Sequence, residues 1–417
     1  MRLTILIVCL AVPPIHADPM RAGAAAVDIT PPTGYAMWGY AARHDAPSTG
    51  VMAPLKARAL VLAAGGKKIA LVGLDLGRAP TRDSTARIRE RLKKIGIDEV
   101  FLVASHTHHG PVLELDNWPN AKESYVGRLE NRLVSVITEA DRLSVPARVG
   151  VARKATKWNR NRHSKRDDKQ VDDELLVLRA ETLGGEAIAH VVNFAAHPTM
   201  LPTADLRFSP DYVGHLCDAV ETETRVPCVF LQGAAGDLSP NPPGERGPEA
   251  FGKAVGAGVL ELIKEIKCVE SKSPSLGTAR EAFRFKARAD VTNPFVRLAM
   301  ERAFFPELIA AYEREYREGV RPELTVALLN DEFGFVGASG EFFCGHSLSL
   351  KKRARLPFVF FLGYCNDYHQ YFPTIEGSAE GGYGAVPPIN MAEVGAGEKI
   401  IDRALLQLYQ LRGLLGD

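Results

Sequence analysis

The chain reads as an α/β protein, with mixed β-sheets covered by helices in one large domain whose candidate site lies in loops at strand ends. Three observations predict this. Strand, helix and strand follow one another at crossover lengths near residues 68–104. Apolar runs repeatedly end in polar, Gly-rich loops, the places where open α/β sheets bind ligands. Ser, Gly and Pro clusters are short and evenly spread, so no linker divides the chain.

Residues 21–36 (RAGAAAVDITPPTGYA) read as a short strand ending at Pro31-Pro32. ARALVLAA from Ala57 and KIALVGLDL from Lys68 follow as strands. A polar helix is predicted from about Arg82 to Ile95, and the strand VFLVA precedes Ser105. Residues 122–142 carry apolar positions at helical spacing. VGVARK, ELLVLRAET and EAIAHVVNFAAH read as strands, the first two joined by a basic, solvated loop, RKATKWNRNRHSKRDDK. A helix near 210–224, the run VPCVFLQGAAGD and a helix near 247–267 come next. One long amphipathic helix is expected over 294–318. After it come the stretch TVALLNDEFGFVGASG, a helix from about Glu341, the strand FVFFLGY, a Gly-rich loop through 386 and a final helix, about 395–414.

The 51 Lys+Arg balance 50 Asp+Glu, a net charge of +1, which gives no global electrostatic reason to bind nucleic acid or an anionic membrane surface. The opening MRLTILIVCLAVPPIHA has Arg2, an apolar run from Leu3 to Val12 and a small residue, Ala17. That is the pattern of a secretory signal peptide over residues 1–17, cut near Ala17, and it predicts a secreted or periplasmic protein. The run is too short to cross a bilayer core of about 30 Å, and no later stretch reaches transmembrane length. Of six cysteines Cys9 leaves with the leader. The other five are scattered without a CxxC pair and read as buried structural residues.

Four strand endings concentrate the chemistry. Ser105-His106-Thr107-His108-His109-Gly110-Pro111 places three histidines in four positions, and alternation lets His106 and His108 face one site while His109 points away. Asn193-Phe194-Ala195-Ala196-His197 ends a second apolar strand, with Asn193 and His197 on one face and His190 on the other. Taken alone, His197 reads first as a satisfied core histidine, and it gains a functional reading only if it converges with His106. Gly233 to Asn241 is a small-residue turn carrying Ser239. Glu341 and the segment Asn366-Asp367-Tyr368-His369-Gln370-Tyr371 lie near the C-terminus, where a helix-start charge and core aromatics are the plain alternatives. Neither GxSxG nor HExxH occurs, so a metal site must assemble from distant segments.

In this order the segments resemble the catalytic domain of the neutral/alkaline ceramidases. Residues 106–111 resemble the family's His-Thr-His-Ser-Gly-Pro, and His197 its later His before Gly or Pro and Thr. Gly236 to Asn241 resembles Gly-Asp-Val-Ser-Pro-Asn, Ser339-Gly340-Glu341 resembles Pro-Gly-Glu, and Asn366 to Tyr371 resembles Asn-x-Tyr-x-x-Tyr, with Tyr383 twelve residues on. Asp28-Ile29-Thr30 resembles the family's first strand, so the likeness covers roughly residues 21–414, within a catalytic domain over 18–417. It departs at His109 for Ser, at Ser339 for Pro and after Tyr383, and it stops before the family's immunoglobulin-like C-terminal domain.

The resemblance implies Zn2+ held by His106, His197, Glu341 and Tyr371, a plausible zinc shell. It implies His108 as proton carrier, Arg162 and Tyr383 near the substrate carbonyl, and Ser239 as either nucleophile or positioning hydroxyl. The leading expectation is zinc-dependent hydrolysis of an N-acyl amide, ceramide or a related lipid, to fatty acid and amine, with transient membrane-surface contact. A zinc hydrolase of a non-lipid amide or ester and a non-catalytic exported binding protein are the alternatives. A deep apolar slot over the metal favours the first reading and a broad polar cleft the second.

Overall fold

The structure is a computed structural model that describes residues 18–118, 122 and 124–416. The expected signal peptide lies outside the described residues. The apolar runs pair into an eight-stranded mixed sheet, in the order Cys228–Gln232, Ala187–Phe194, Glu174–Thr182, Val145–Ala155, Arg21–Asp28, Lys56–Ala64, Lys67–Leu74 and Glu99–Ala104. Only the pairs at its two ends are parallel: Cys228–Gln232 on Ala187–Phe194, and Lys67–Leu74 on Glu99–Ala104. A second sheet orders Leu276–Ala282, Glu323–Leu329, Phe333–Ala338 and Phe358–Leu362, again with one parallel pair, Phe333–Ala338 on Phe358–Leu362.

The two sheets enclose a core of alternating strand residues, among them Leu60, Leu71, Phe101, Leu178, Val191, Phe335 and Phe360. Helices α1 (Arg82–Lys93) and α2 (Tyr125–Arg142) cover one half of the larger sheet's outer face, and α3 (Asp211–Thr224) and α4 (Pro248–Glu265) the other half. After α5 (Pro294–Glu301) and α6 (Pro306–Tyr316), α7 (Cys344–Ala354), the short α8 (Ile375–Glu380) and α9 (Ala396–Leu411) follow, with α7 and α9 on the smaller sheet. This is the mixed-sheet, helix-covered α/β architecture that the sequence predicts.

The larger sheet curls until its end strands meet. Gly73 lies so close to the Phe230 backbone that a Cβ there would collide with the Phe230 carbonyl, so only glycine permits the approach. Closure brings the outlets of the two end pairs side by side.

Two expectations are corrected. Residues 294–318 form two helices, not one, because Pro306 lacks the N–H that a continuing helix needs, and the chain turns at Phe305. Glu341 does not open a helix. It sits in the two-residue strand Glu341–Phe342, parallel to Tyr371–Phe372, and α7 starts at Cys344. The five described cysteines are free thiols; all but Cys268 are buried.

His190 faces away from the candidate site, 1 % exposed, with neither ring nitrogen hydrogen-bonded. Burial, and then nearby Arg179, push it down to about 4. An unfolded histidine protonates near pH 6.5, so between about pH 6.5 and 4 the unfolded chain binds the extra proton and stability falls as pH falls. We expect His190→Leu to remove roughly 2 kcal/mol of the stability lost between pH 7 and 5. Urea unfolding of both proteins at the two pH values measures this; parallel losses would contradict it.

Candidate active site

Each strand that feeds the site is a member of a parallel pair, so the outlets lie at one end. Glu99–Ala104 leads to His106, Ala187–Phe194 to His197, Cys228–Gln232 to Gly236 and Asp237, Phe333–Ala338 to Glu341, and Phe358–Leu362 to residues 364–371.

His106 and His197 are fully buried, with their Nε2 atoms 3.0 Å apart. Each ring donates its Nδ1–H to a carbonyl: His106 to Gly77 at 2.7 Å, His197 to Ala235 at 2.8 Å. Those bonds turn both Nε2 lone pairs inward, toward each other and toward Glu341 Oε2, 3.3 Å from each. Burial raises the Glu341 pKa, but the facing His106 and His197 outweigh it and hold the carboxyl well below its usual range. Burial, Arg162 and His106 lower His197 to about 3. His108 Nε2 lies 3.3 Å from His106 Nε2, and burial, followed by His106 and His197, keeps it neutral.

Inward lone pairs plus an ionised carboxylate form a hole for a cation. Their separations match the edge, about 3.3 Å, of a tetrahedron built on zinc bonds of about 2.0–2.1 Å. His106, His108 and His197 by themselves form a group that could hold a metal.

The other expected residues fall around this centre. Arg162, after the strand Asn159–Asn161, sends Nη2 to His197 Nε2 (3.1 Å), Gly236 O (3.0 Å) and Tyr371 Oη (3.2 Å). Tyr371 is 5 % exposed, and its ring is 5.6 Å from that of Tyr383, which is 68 % exposed at the rim. Ser239 is half-buried on the strand Leu238–Pro240, opposite Arg160, and its hydroxyl makes no hydrogen bond among the described residues. Asn193 does not reach the site: its amide donates to Leu231 O and Phe361 O. His109 turns away to Arg43, at 2.6 Å.

Several residues went unassigned in the sequence. Tyr368 donates to Glu341 Oε1 at 2.5 Å, Tyr364 lies against His106 at 4.2 Å between ring centroids, and Trp38 meets both His106 and His108 edge-on. Gln232 Nε2 donates to Ser105 O and Ala196 O, each one residue before a buried histidine, both at 2.9 Å. Asp237 accepts from Asn161 Nδ2 (2.8 Å) and Cys344 N (2.7 Å), tying the Arg162 strand to the segment after Glu341. Tyr368 had a signal, since it is the third residue of the Asn-x-Tyr-x-x-Tyr motif; Gln232 and Trp38 had none.

A second group with metal-like composition, Glu315, Asp367 and His369, already surrounds a cation. Arg82 Nη2 is 2.5 Å from Glu315, 3.4 Å from Asp367 and 3.5 Å from His369.

Against the histidine centre opens a cavity of about 200 Å3. His108, Glu341, Tyr371 and Tyr383 form its polar end, and Met37, Val112, Met300, Phe305, Leu308 and Ile389 are among its apolar walls.

The fold is the one seen in solved neutral ceramidase structures. The crystal structure of neutral ceramidase from Pseudomonas aeruginosa superposes with a TM-score of 0.77 at 20 % identity, over 96 % of this chain and 75 % of that one. A structure of a ceramidase complexed with C2 gives 0.77 at 19 % identity, over 95 % and 76 %. No protein-family profile matches the chain.

The Tyr368 hydroxyl anchors the buried carboxylate, and outer partners of this kind set metal affinity. If the centre holds a divalent metal, Tyr368→Phe is expected to weaken its binding about 10- to 100-fold with the fold intact, read by competition with a chromophoric chelator. Unchanged affinity would show the hydroxyl to be incidental.

Proposed function

We propose that this protein is a zinc-dependent hydrolase of N-acyl amides, cleaving ceramide or a related N-acyl lipid to fatty acid and amine. The observation that carries this reading is the apolar cavity opening on His108, Glu341 and Tyr371. An acyl chain gains by burial there at roughly 25 cal/mol per Å2, and a polar sugar or peptide does not. The shared fold supports the same reading.

His106, His197, Glu341 and Tyr371 hold the metal in this proposal. The chemistry zinc supplies when bound is Lewis acidity toward an amide carbonyl and a water made nucleophilic near neutral pH. His108, neutral and edging into the cavity, takes the proton from the attacking water and delivers it to the leaving amine. Arg162 and Tyr383 offer donors to the oxyanion that develops as the carbonyl is attacked. Ser239 serves as a positioning hydroxyl, because among the described residues no base stands within hydrogen-bond reach to activate it.

Among the described residues no helix is long and apolar enough to cross a membrane. Export through the residue 1–17 leader, to a secreted or periplasmic location, belongs to the same proposal. So does transient contact with a lipid surface through α5, which turns Met300 into the cavity and leaves Phe295 84 % and Leu298 54 % exposed.

Fatty-acid release from ceramides by residues 18–417 is expected to be abolished by a chelator and restored by zinc. His197→Ala is expected to lose zinc and activity together; full zinc occupancy in that variant would remove His197 from the ligand set. Phe295→Ser with Leu298→Ser is expected to reduce co-sedimentation with lipid vesicles several-fold while leaving hydrolysis of a short, soluble amide unchanged. Equal losses on both substrates would argue against surface contact.

A further inference from the structure

We infer that Tyr312 closes the inner end of the apolar cavity and so limits the alkyl chain bound beside the histidine centre to about eight carbons. The inference rests on the apolar-substrate reading above and deepens it, naming the chain length that this site takes.

Exposure tells the rim of the cavity from its depth. Ala41, Ala299 and Tyr383 are exposed and mark the rim. Phe305, Leu308, Tyr312 and Tyr316 are each 5 % exposed or less and line the inner part. Three of these lie on α6 at intervals of four, so Leu308, Tyr312 and Tyr316 share one face of that helix. Its neighbouring face, with Glu307, Ala311 and Glu315, borders a second cavity of about 760 Å3 whose walls carry Arg78, Glu114 and Asp367.

Tyr312 borders both cavities and is therefore a wall between them. Its ring packs parallel to that of Tyr316, with centroids 6.0 Å apart, and against Phe304 at 5.1 Å. Its hydroxyl donates to Glu114 Oε1 at 3.0 Å, on the charged side. Tyr368, the other residue bordering both, is held by Glu341. Glu114 does not depend on Tyr312, since Trp38 Nε1 donates to the same oxygen at 3.0 Å and Arg78 lies 3.3 Å away.

The length follows from the volume. An apolar cavity of about 150 Å3 takes up benzene, with six carbons, so by proportion the 200 Å3 here holds roughly eight. Beyond Tyr312 a chain meets charged walls, where its CH2 groups gain little. The second chain of a two-chain lipid has no room in this volume and leaves past exposed Ala299, toward Phe295 and Leu298 of α5.

The test uses the zinc-loaded protein and two series of ligands that cannot be hydrolysed. Linear fatty acids carry the chain on the acyl side and linear alkylamines on the amine side, each from about four to about twelve carbons. Titration calorimetry gives the dissociation constants. In the series whose chain enters the cavity, affinity is expected to rise about fourfold per added CH2 up to about eight carbons and then to level. In Tyr312→Ala the rise is expected to continue to about twelve, because the space vacated by the ring takes up the added chain. A rise that never levels in wild type, no rise in either series, or a plateau unmoved in Tyr312→Ala overturns the inference. If Tyr312→Ala does not fold, Tyr312→Leu, which keeps apolar bulk on α6, is read in the same way. Ceramide hydrolysis is scored separately from binding, so either reading can fail while the other stands.

Discussion

Everything at the centre depends on two imidazole nitrogens being held 3.0 Å apart with their lone pairs facing. In a site that excludes water this arrangement is repulsive unless a cation or donor stands among the acceptors, and Arg162 answers only the His197 side, at 3.1 Å. Glu341 adds a negative charge to the same space. The Nδ1–H bonds to Gly77 and Ala235 prevent either ring from rotating to relieve the repulsion. The acceptors are thus fixed in place together, in the way outer hydrogen bonds orient the ligands of a metal site.

The scaffold supplies that constraint from long range. His106 takes a left-handed backbone, φ 71°, just past the end of its strand, so its ring swings across to His197. Gln232 bridges the two histidine segments by binding the carbonyl that precedes each. Asn366, also left-handed, uses its side chain as a piece of backbone, bonding Leu102 N and Val100 O at 2.8 Å each. That clamp fixes where the segment carrying Tyr368 and Tyr371 leaves the smaller sheet. Below Tyr368, Arg78 bonds Asp367 and lies 5.5 Å from the Tyr368 ring. Burial opposes the Asp367 charge, but His369, Arg78 and Arg82 outweigh it and hold Asp367 at about 2.

This dependence explains what could be read from the sequence. The α/β class and most strands were legible because strand periodicity is local. His106 and His108 were legible because two residues apart at a strand end suffices to aim both rings together, although the structure achieves it with a left-handed turn rather than pure alternation. Glu341 could be found only by motif order: its strand is two residues long, too short to show a pattern, and its pairing partner is Tyr371, thirty residues away. Gln232, Trp38 and Tyr364 were invisible for a different reason. Their roles consist of contacts across 36 to 258 positions, from Gln232–Ala196 to Tyr364–His106, and nothing in the surrounding residues encodes such a partner. The division of residues 294–318 was legible in principle at Pro306, where helical periodicity was allowed to override backbone chemistry.

The division between polar centre and apolar cavity also limits what the site can reward. At the centre most donors are already committed: Arg162 Nη2 to His197, Gly236 and Tyr371, Tyr368 to Glu341, His106 and His197 to carbonyls. A ligand entering through the cavity therefore meets few polar groups free to answer it, chiefly the edge of His108 and the rim hydroxyl of Tyr383. Binding energy must come mainly from apolar surface, while selectivity falls to those few groups, since an unmatched polar atom costs more in such a setting than a matched one gains. The same asymmetry disfavours heavily hydroxylated ligands, whose groups would lose water and find no partner along Met37, Val112 and Phe305. An apolar chain with few polar atoms at one end is the ligand shape that this distribution of polar and apolar surface accommodates at least cost.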